Sequence, residues 1–333
     1  MHSIPAPAVR GSTRRALLRQ LGAAGAAALA GHGARAQDGY PSRPIRVIVP
    51  FGPGGLADIT MRLVAQKLGE RLGQPVVVDN RPGAGGVVAA TATLAAPRDG
   101  YTLILFSNGT AIGKSLYKLA YDPETDFVPI STLAYFDLVL LVNKDSPFHD
   151  LASLLAEGKK RRLTLGTINP GSTQNLSAEL FRSVSQVQAD IVPYKSTPEV
   201  LTALMRGELD VGFESYAALR GAVDSGQVRV LAATGHERSP WLPRVPTARE
   251  AGLAGYEVAG WNALYAPKGI PTQAVALLER HTREVMRLPE VREHLVALGT
   301  DPRASTPAEL AAVFHRDAAS WARVIRGAGI KPQ

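Results

Sequence analysis

Cysteine is absent from all 333 residues. That excludes disulfides, thiolate metal sites and a cysteine nucleophile. A run of about 20 apolar residues, the length needed to cross a bilayer as a helix, is also missing. No His-Glu-x-x-His stretch and no Gly-x-Ser-x-Gly elbow occurs, so zincin and serine-hydrolase chemistry lose their usual signatures. Histidine is sparse. Beyond residue 36 there are His149, His236, His281, His294 and His315, none set beside a carboxylate cluster that suggests a metal site. Repeats of solenoid period and low-complexity linkers are lacking as well.

Two glycine-rich stretches fall short of nucleotide-binding motifs. Gly109-Thr110-Ala111-Ile112-Gly113-Lys114-Ser115 has three residues between its glycines where a phosphate-binding P-loop needs four, and Asn108 stands where the first glycine would fall. Gly83-Ala84-Gly85-Gly86 falls short of the dinucleotide fingerprint because position 88 is valine. No cofactor, no metal and no catalytic residue is expected.

The first 36 residues differ from the rest. Arg14-Arg15 opens a basic segment, Leu21 to Ala30 is a short apolar stretch, and Ala34-Arg35-Ala36 supplies small residues for signal peptidase. This reads as an export signal cut after Ala36, with the arginine pair suiting the twin-arginine route and the Sec route as the alternative. It places the expected mature protein in the periplasm. The whole chain carries +8, but five arginines and no acid lie in residues 1–36, leaving 32 basic against 29 acidic residues. The high pI is therefore a poor argument for nucleic acid, and none is expected as a partner. Lys159 to Arg162 reads as a solvated loop.

After the signal, strands alternate with helices. Ile45–Pro50, Val76–Val78 and Tyr101–Phe106 read as strands separated by helical periodicities, and the pattern restarts after a strand at Leu138–Val142. Helices at 273–286, 289–298 and 308–325 look like a return to the first half. The expectation is an α/β chain of two lobes, each a mainly parallel sheet flanked by helices, with a ligand cleft between them. Residues 37–143 plus 258–333 would form one lobe and 144–257 the other.

A recurring junction carries the candidate chemistry. A strand ends, a Gly/Ser/Thr loop follows and a helix begins, at residues 50–58 and again at 166–174. Exposed N–H groups and the positive end of a helix bind an anion without lysine or arginine. The candidate residues are Phe51, Gly54, Gly55 and Leu56 in the first loop, and Thr167, Gly171, Ser172 and Thr173 in the second. Each loop also admits a plain reading, a tight turn in the first and a simple N-cap in the second. Asp58 either ties down its loop or holds a ligand ammonium. Tyr194-Lys195 follows a strand and either reaches the cleft or lies exposed. Trp261 either walls a pocket or fills the core.

Many short stretches match, in order, a known family. Tyr40-Pro41-Ser42-Arg43-Pro44-Ile45, Pro53-Gly54-Gly55-Leu56-Ala57-Asp58, Asn80 to Gly86, Asp99 to Leu103, Val192 to Lys195, Gly207 to Asp210 and Leu242 to Thr247 resemble the Bug family, the extracytoplasmic solute receptors of tripartite tricarboxylate transporters. The resemblance implies a type II periplasmic-binding-protein fold, closure around a small carboxylate solute, capture through backbone amides and ordered waters, and delivery to inner-membrane transporter subunits by a monomer. It adds the loop Ser107-Asn108-Gly109-Thr110 to the candidate site, from which Ser107, Asn108 and Thr110 are taken, and Ser215 completes the set. Ser196, where the family usually carries glycine, and Thr167-Ile168 depart from the pattern and leave the solute open. A membrane-kinase sensor and an exported enzyme using the same cleft remain the alternatives.

Overall fold

The computed structural model describes residues 39–83 and 86–327; the export signal and its cleavage point lie outside them. From Arg43 onward the chain packs as one compact unit. Two sheets share one long strand. β1 (Ile45–Val49) pairs in parallel with β2 (Val76–Asn80) on one side and β3 (Thr102–Ser107) on the other. β9 (Ala259–Pro267) then pairs antiparallel with β3, and β4 (Phe127–Asn143) antiparallel with β9. In the second sheet β5 (Leu163–Ile168) lies parallel to β6 (Ala189–Tyr194) and β7 (Val211–Ser215), and β7 is antiparallel to β4. β8 (Val228–Ala233) also pairs with β4, as does the two-residue β10 (Asp301–Pro302) at the other end.

The two sheets repeat one topology. Each runs second strand, first strand, third strand, then a strand that crosses from the other half: β2-β1-β3-β9 and β6-β5-β7-β4. The parallel sets are joined to the crossing strands by antiparallel ladders, so each sheet is mixed rather than wholly parallel. This is the two-lobed periplasmic-binding-protein architecture expected of the chain.

β4 makes the join. It has 17 residues, roughly 55 Å of extended chain at ~3.3 Å each. Phe127 to Asp137 pairs with β9, and Leu138 to Asn143 pairs with β7 and β8. The passage between sheets therefore falls at Asp137–Leu138. Only Leu138–Val142 had the pattern of a strand. Register shifts between Pro129 and Ser131 and between Thr132 and Ala134 break the period-2 alternation in the first half of β4, which hides it from a periodicity search.

Helices fill the connections. α1 (Leu56–Leu72) follows β1 and buries Met61, Val64, Ala65 and Leu68 on one face, each large apolar group contributing ~1.5–3 kcal/mol. α2 (Val87–Leu94) precedes β3, and α3 (Asn108–Leu116) begins directly after it. The first turn of α3 thus occupies what the resemblance gave as a loop. α4 (Leu151–Gly158), α5 (Thr173–Ser185), α6 (Thr197–Met205) and α7 (Tyr216–Asp224) serve the second sheet. α8 (Thr272–Arg287), α9 (Pro289–Ala297) and α10 (Pro307–Gly327) return to the first, α10 packing on α3 and β4. Trp261 belongs to this packing. Its ring meets Phe314 of α10 and its Nε1 donates to Asp317 Oδ2 at 2.7 Å, so it fills core instead of walling the cleft.

Candidate functional site

Four helix starts, two from each sheet, converge on one cavity. All four lie just beyond the carboxyl ends of parallel strands, where open α/β sheets hold ligands. Gly55, Leu56 and Ala57 begin α1 and Ser107 caps α3 from the first sheet. Thr173 and Gln174 begin α5, and Ser196 and Thr197 begin α6, from the second. Phe51, Leu56, Phe136 and Ile168 supply apolar wall, and Asn262 of β9 a further amide. The cleft between these starts is narrow.

Among the described residues, no charged side chain lines this cavity. Its electrostatics come from backbone. Among the described residues, no hydrogen-bond partner fills the N–H groups of Leu56, Ala57, Thr173, Gln174 or Thr197. Each helix start adds the equivalent of about half a positive charge.

The loops that present these donors are held from behind. Gly54 and Gly171 each sit two residues before the first helical position with φ of 83° and 78°, a left-handed conformation that favours glycine. Asp58, buried in the first turn of α1, accepts from the Gly54 N–H at 3.0 Å, Arg62 Nε at 3.0 Å and Asn80 Nδ2 at 2.9 Å. Asn80 also donates to the Phe51 carbonyl at 3.0 Å. Burial works against the Asp58 carboxylate, but the bonds from Arg62, Gly54 and Asn80 outweigh it and hold its pKa below the ordinary value. Asp58 ties down its loop and has no oxygen to spare for a ligand ammonium. In the second loop the Ser172 hydroxyl caps the Asn175 N–H at 3.1 Å, Asn175 Oδ1 accepts from the Gly171 N–H at 3.1 Å, and Asn175 Nδ2 donates to Thr167 at 3.3 Å.

Opposite loops touch across the cleft. A Cβ on Gly52 would stand 2.4 Å from the Lys195 carbonyl, and one on Gly109 would stand 2.7 Å from the Gly171 carbonyl. The Thr173 hydroxyl donates to Asn108 Oδ1 at 2.5 Å, while Asn108 Nδ2 holds the Ala259 carbonyl at 2.9 Å. Behind Gln174 and Thr197 sits Glu214 of β7, fully buried. It accepts from Gln174 Nε2 at 3.1 Å and the Ser215 N–H at 3.3 Å. Burial pushes its carboxyl up to about 7, with Gln174, Thr197 and Ser215 offsetting part of the rise.

Of the residues picked from sequence, Phe51, Gly55, Leu56, Ser107 and Thr173 line the cavity. Gly54, Asp58, Asn108, Thr167, Gly171 and Ser172 brace it. Thr110 lies half-buried on α3, and Ser215, buried, caps α7. Tyr194 packs against an apolar cluster and the Lys195 side chain is exposed, so neither lines the cavity. Gln174, Ser196, Thr197, Phe136, Ile168 and Asn262 were not anticipated. The third helix start had a visible signal, Ser196-Thr197-Pro198-Glu199, with proline in the first turn.

Among the described residues, no group of three or more His, Asp or Glu side chains is placed to hold a metal ion, and no helix is long and apolar enough to cross a membrane. A two-lobed α/β fold with amide donors gathered between its lobes defines a solute-binding receptor. Residues 60–330 match the tripartite tricarboxylate transporter family receptor, and the chain belongs to that family. BugT of Bordetella pertussis is 36% identical over 88% of this chain and 92% of its own. MatC from Rhodopseudomonas palustris, solved with bound malate, superposes with a TM-score of 0.81 at 33% identity, covering 86% of this chain and all of that one. A second R. palustris protein, solved with adipate, gives 0.84 at 34% identity over 88% of this chain and all of its own.

Proposed function

We propose that this receptor captures a small carboxylate in the periplasm and delivers it to inner-membrane subunits of its transporter. The carrying observation is the convergence of four helix starts on a cavity that no charged side chain lines. Such a cavity attracts an anion through fixed dipoles, which need no reorganisation on binding. The apolar wall of Phe51, Leu56, Phe136 and Ile168 suits a short carbon skeleton between polar ends. Adipate and malate, held by the two R. palustris relatives, are of this kind.

In this reading the protein is a monomer without catalytic activity or cofactor, exported by the signal in residues 1–36. One lobe comprises 37–143 with 258–333 and the other 144–257, closing about β4 and β9. Closure is driven by the ligand's greater affinity for the shut cleft.

A thermal-shift screen of mono- and dicarboxylates on residues 37–333 tests the reading. At least one carboxylate is expected to raise Tm by several degrees at saturating concentration. If none does, or if the corresponding neutral amides raise it equally, the reading is wrong.

A further inference from the structure

Asn262 is the residue of β9 whose side chain lines the cavity. Its neighbours Trp261 and Ala263 pack with Phe314 and Leu310 of α10, so strand alternation turns Asn262 to the cleft side. It stands opposite Ser107, the cap of α3, in the β3–β9 ladder. It is 1% exposed, and its Nδ2 has no hydrogen-bond partner. A buried donor left unpaired is costly and calls for a partner.

Among the described residues, no carboxylate lines the cavity around it. The Asp58 carboxylate is taken up by Gly54, Arg62 and Asn80, and Glu214 lies behind Gln174, outside the cavity wall. An ammonium group would meet four positive helix ends and no carboxylate in the cavity wall.

We propose that Asn262 donates to an oxygen at the far end of the bound acid, and that the site thereby selects dicarboxylates and hydroxy acids over their amino-acid counterparts. This rests on the carboxylate-receptor reading above. Replacing the donor by an acceptor of the same shape should relax the selection, since an aspartate there supplies the missing partner for an ammonium.

The test is titration calorimetry with succinate, malate and adipate, and with aspartate as the ammonium-bearing counterpart of malate, on wild type, Asn262→Asp and Asn262→Ala. Wild type is expected to bind at least one of the three acids and to bind aspartate at least about tenfold more weakly than that acid. Asn262→Ala should weaken the acid about tenfold or more. Asn262→Asp should weaken it further and narrow or invert the preference over aspartate, a change of ratio that a merely structural residue would not cause. If Asn262→Asp does not fold, the Asn262→Ala result decides. Acid affinity within twofold of wild type in a folded variant overturns the proposal while leaving the carboxylate reading intact. So does wild-type binding of aspartate as tight as that of the acid. Failure of all three acids and aspartate to bind removes both.

Discussion

The Thr173 hydroxyl and Asn108 Oδ1 meet at 2.5 Å, tying the start of α5 on the second sheet to the start of α3 on the first. Asn108 is fully buried and its other end holds Ala259, where β9 begins. The pair therefore links two halves of the cleft to the first residue of β9, which pairs with β3 and with the first half of β4. Thr173→Val keeps the shape and removes the donor. We expect its Kd for a dicarboxylate to rise about fivefold to twentyfold, in line with ~1–2 kcal/mol for a buried hydrogen bond. Asn108→Ala, at a position that does not line the cavity, should weaken binding comparably, and the double variant should cost less than the sum. Full additivity measured by calorimetry would argue against the tie.

Glu214 gives the stability a pH dependence of unusual sign. Its folded pKa of about 7 lies above the ordinary 4.5, so the native state keeps a proton that the unfolded chain has already lost. Stability from this group is greatest below pH 4.5 and falls as pH rises to about 7, by up to ~3 kcal/mol. Asp137, raised to about 6 by burial and by neighbouring Glu257, slopes the same way. The bonds from Gln174 Nε2 and the Ser215 N–H both end on Oε2, which glutamine reproduces with its amide oxygen. Glu214→Gln is expected to raise Tm at pH 8 and leave it nearly unchanged at pH 4.5. A variant with wild-type pH dependence in thermal melts would contradict the buried-acid assignment.

Gly55 has φ −84° and ψ 168°, open to any residue, but its Cβ position is 3.1 Å from Thr197 Oγ1 of α6. Gly55→Val should fold, with Tm within a few degrees of wild type, and hold the starts of α1 and α6 apart. Dicarboxylate affinity should fall at least about tenfold. Wild-type affinity in this variant would mean that the two starts do not close on the ligand together.

Two of the four helix starts were legible in the sequence because Gly54-Gly55 and Gly171-Ser172 each stand between a strand pattern and a helix pattern. Ser107 entered only through family resemblance, since Gly109 and Gly113 made α3 read as a loop. Ser196-Thr197 is the same kind of junction but lacks the paired glycine signal; in the sequence Ser196 stood out only as a departure from the family's glycine. Asn262 could not be found locally. One polar residue in a strand has no meaning until Ser107, far away in sequence, is seen opposite it. The Gln174–Glu214 bond is likewise a product of the fold, joining positions on α5 and β7. The alternation of strands and helices was readable from the sequence, whereas the full length of β4 was masked by its bulges.

The central claim is that backbone amides at opposed helix starts hold the anion. It is tested most directly by following amide resonances of ¹⁵N-labelled protein as a dicarboxylate found by the thermal screen is added. Leu56, Ala57, Thr173, Gln174 and Thr197 are expected to show the largest downfield proton shifts, with Lys195 and the exposed arginines little affected. Shifts centred on basic side chains, with those five amides unmoved at saturation, would contradict it.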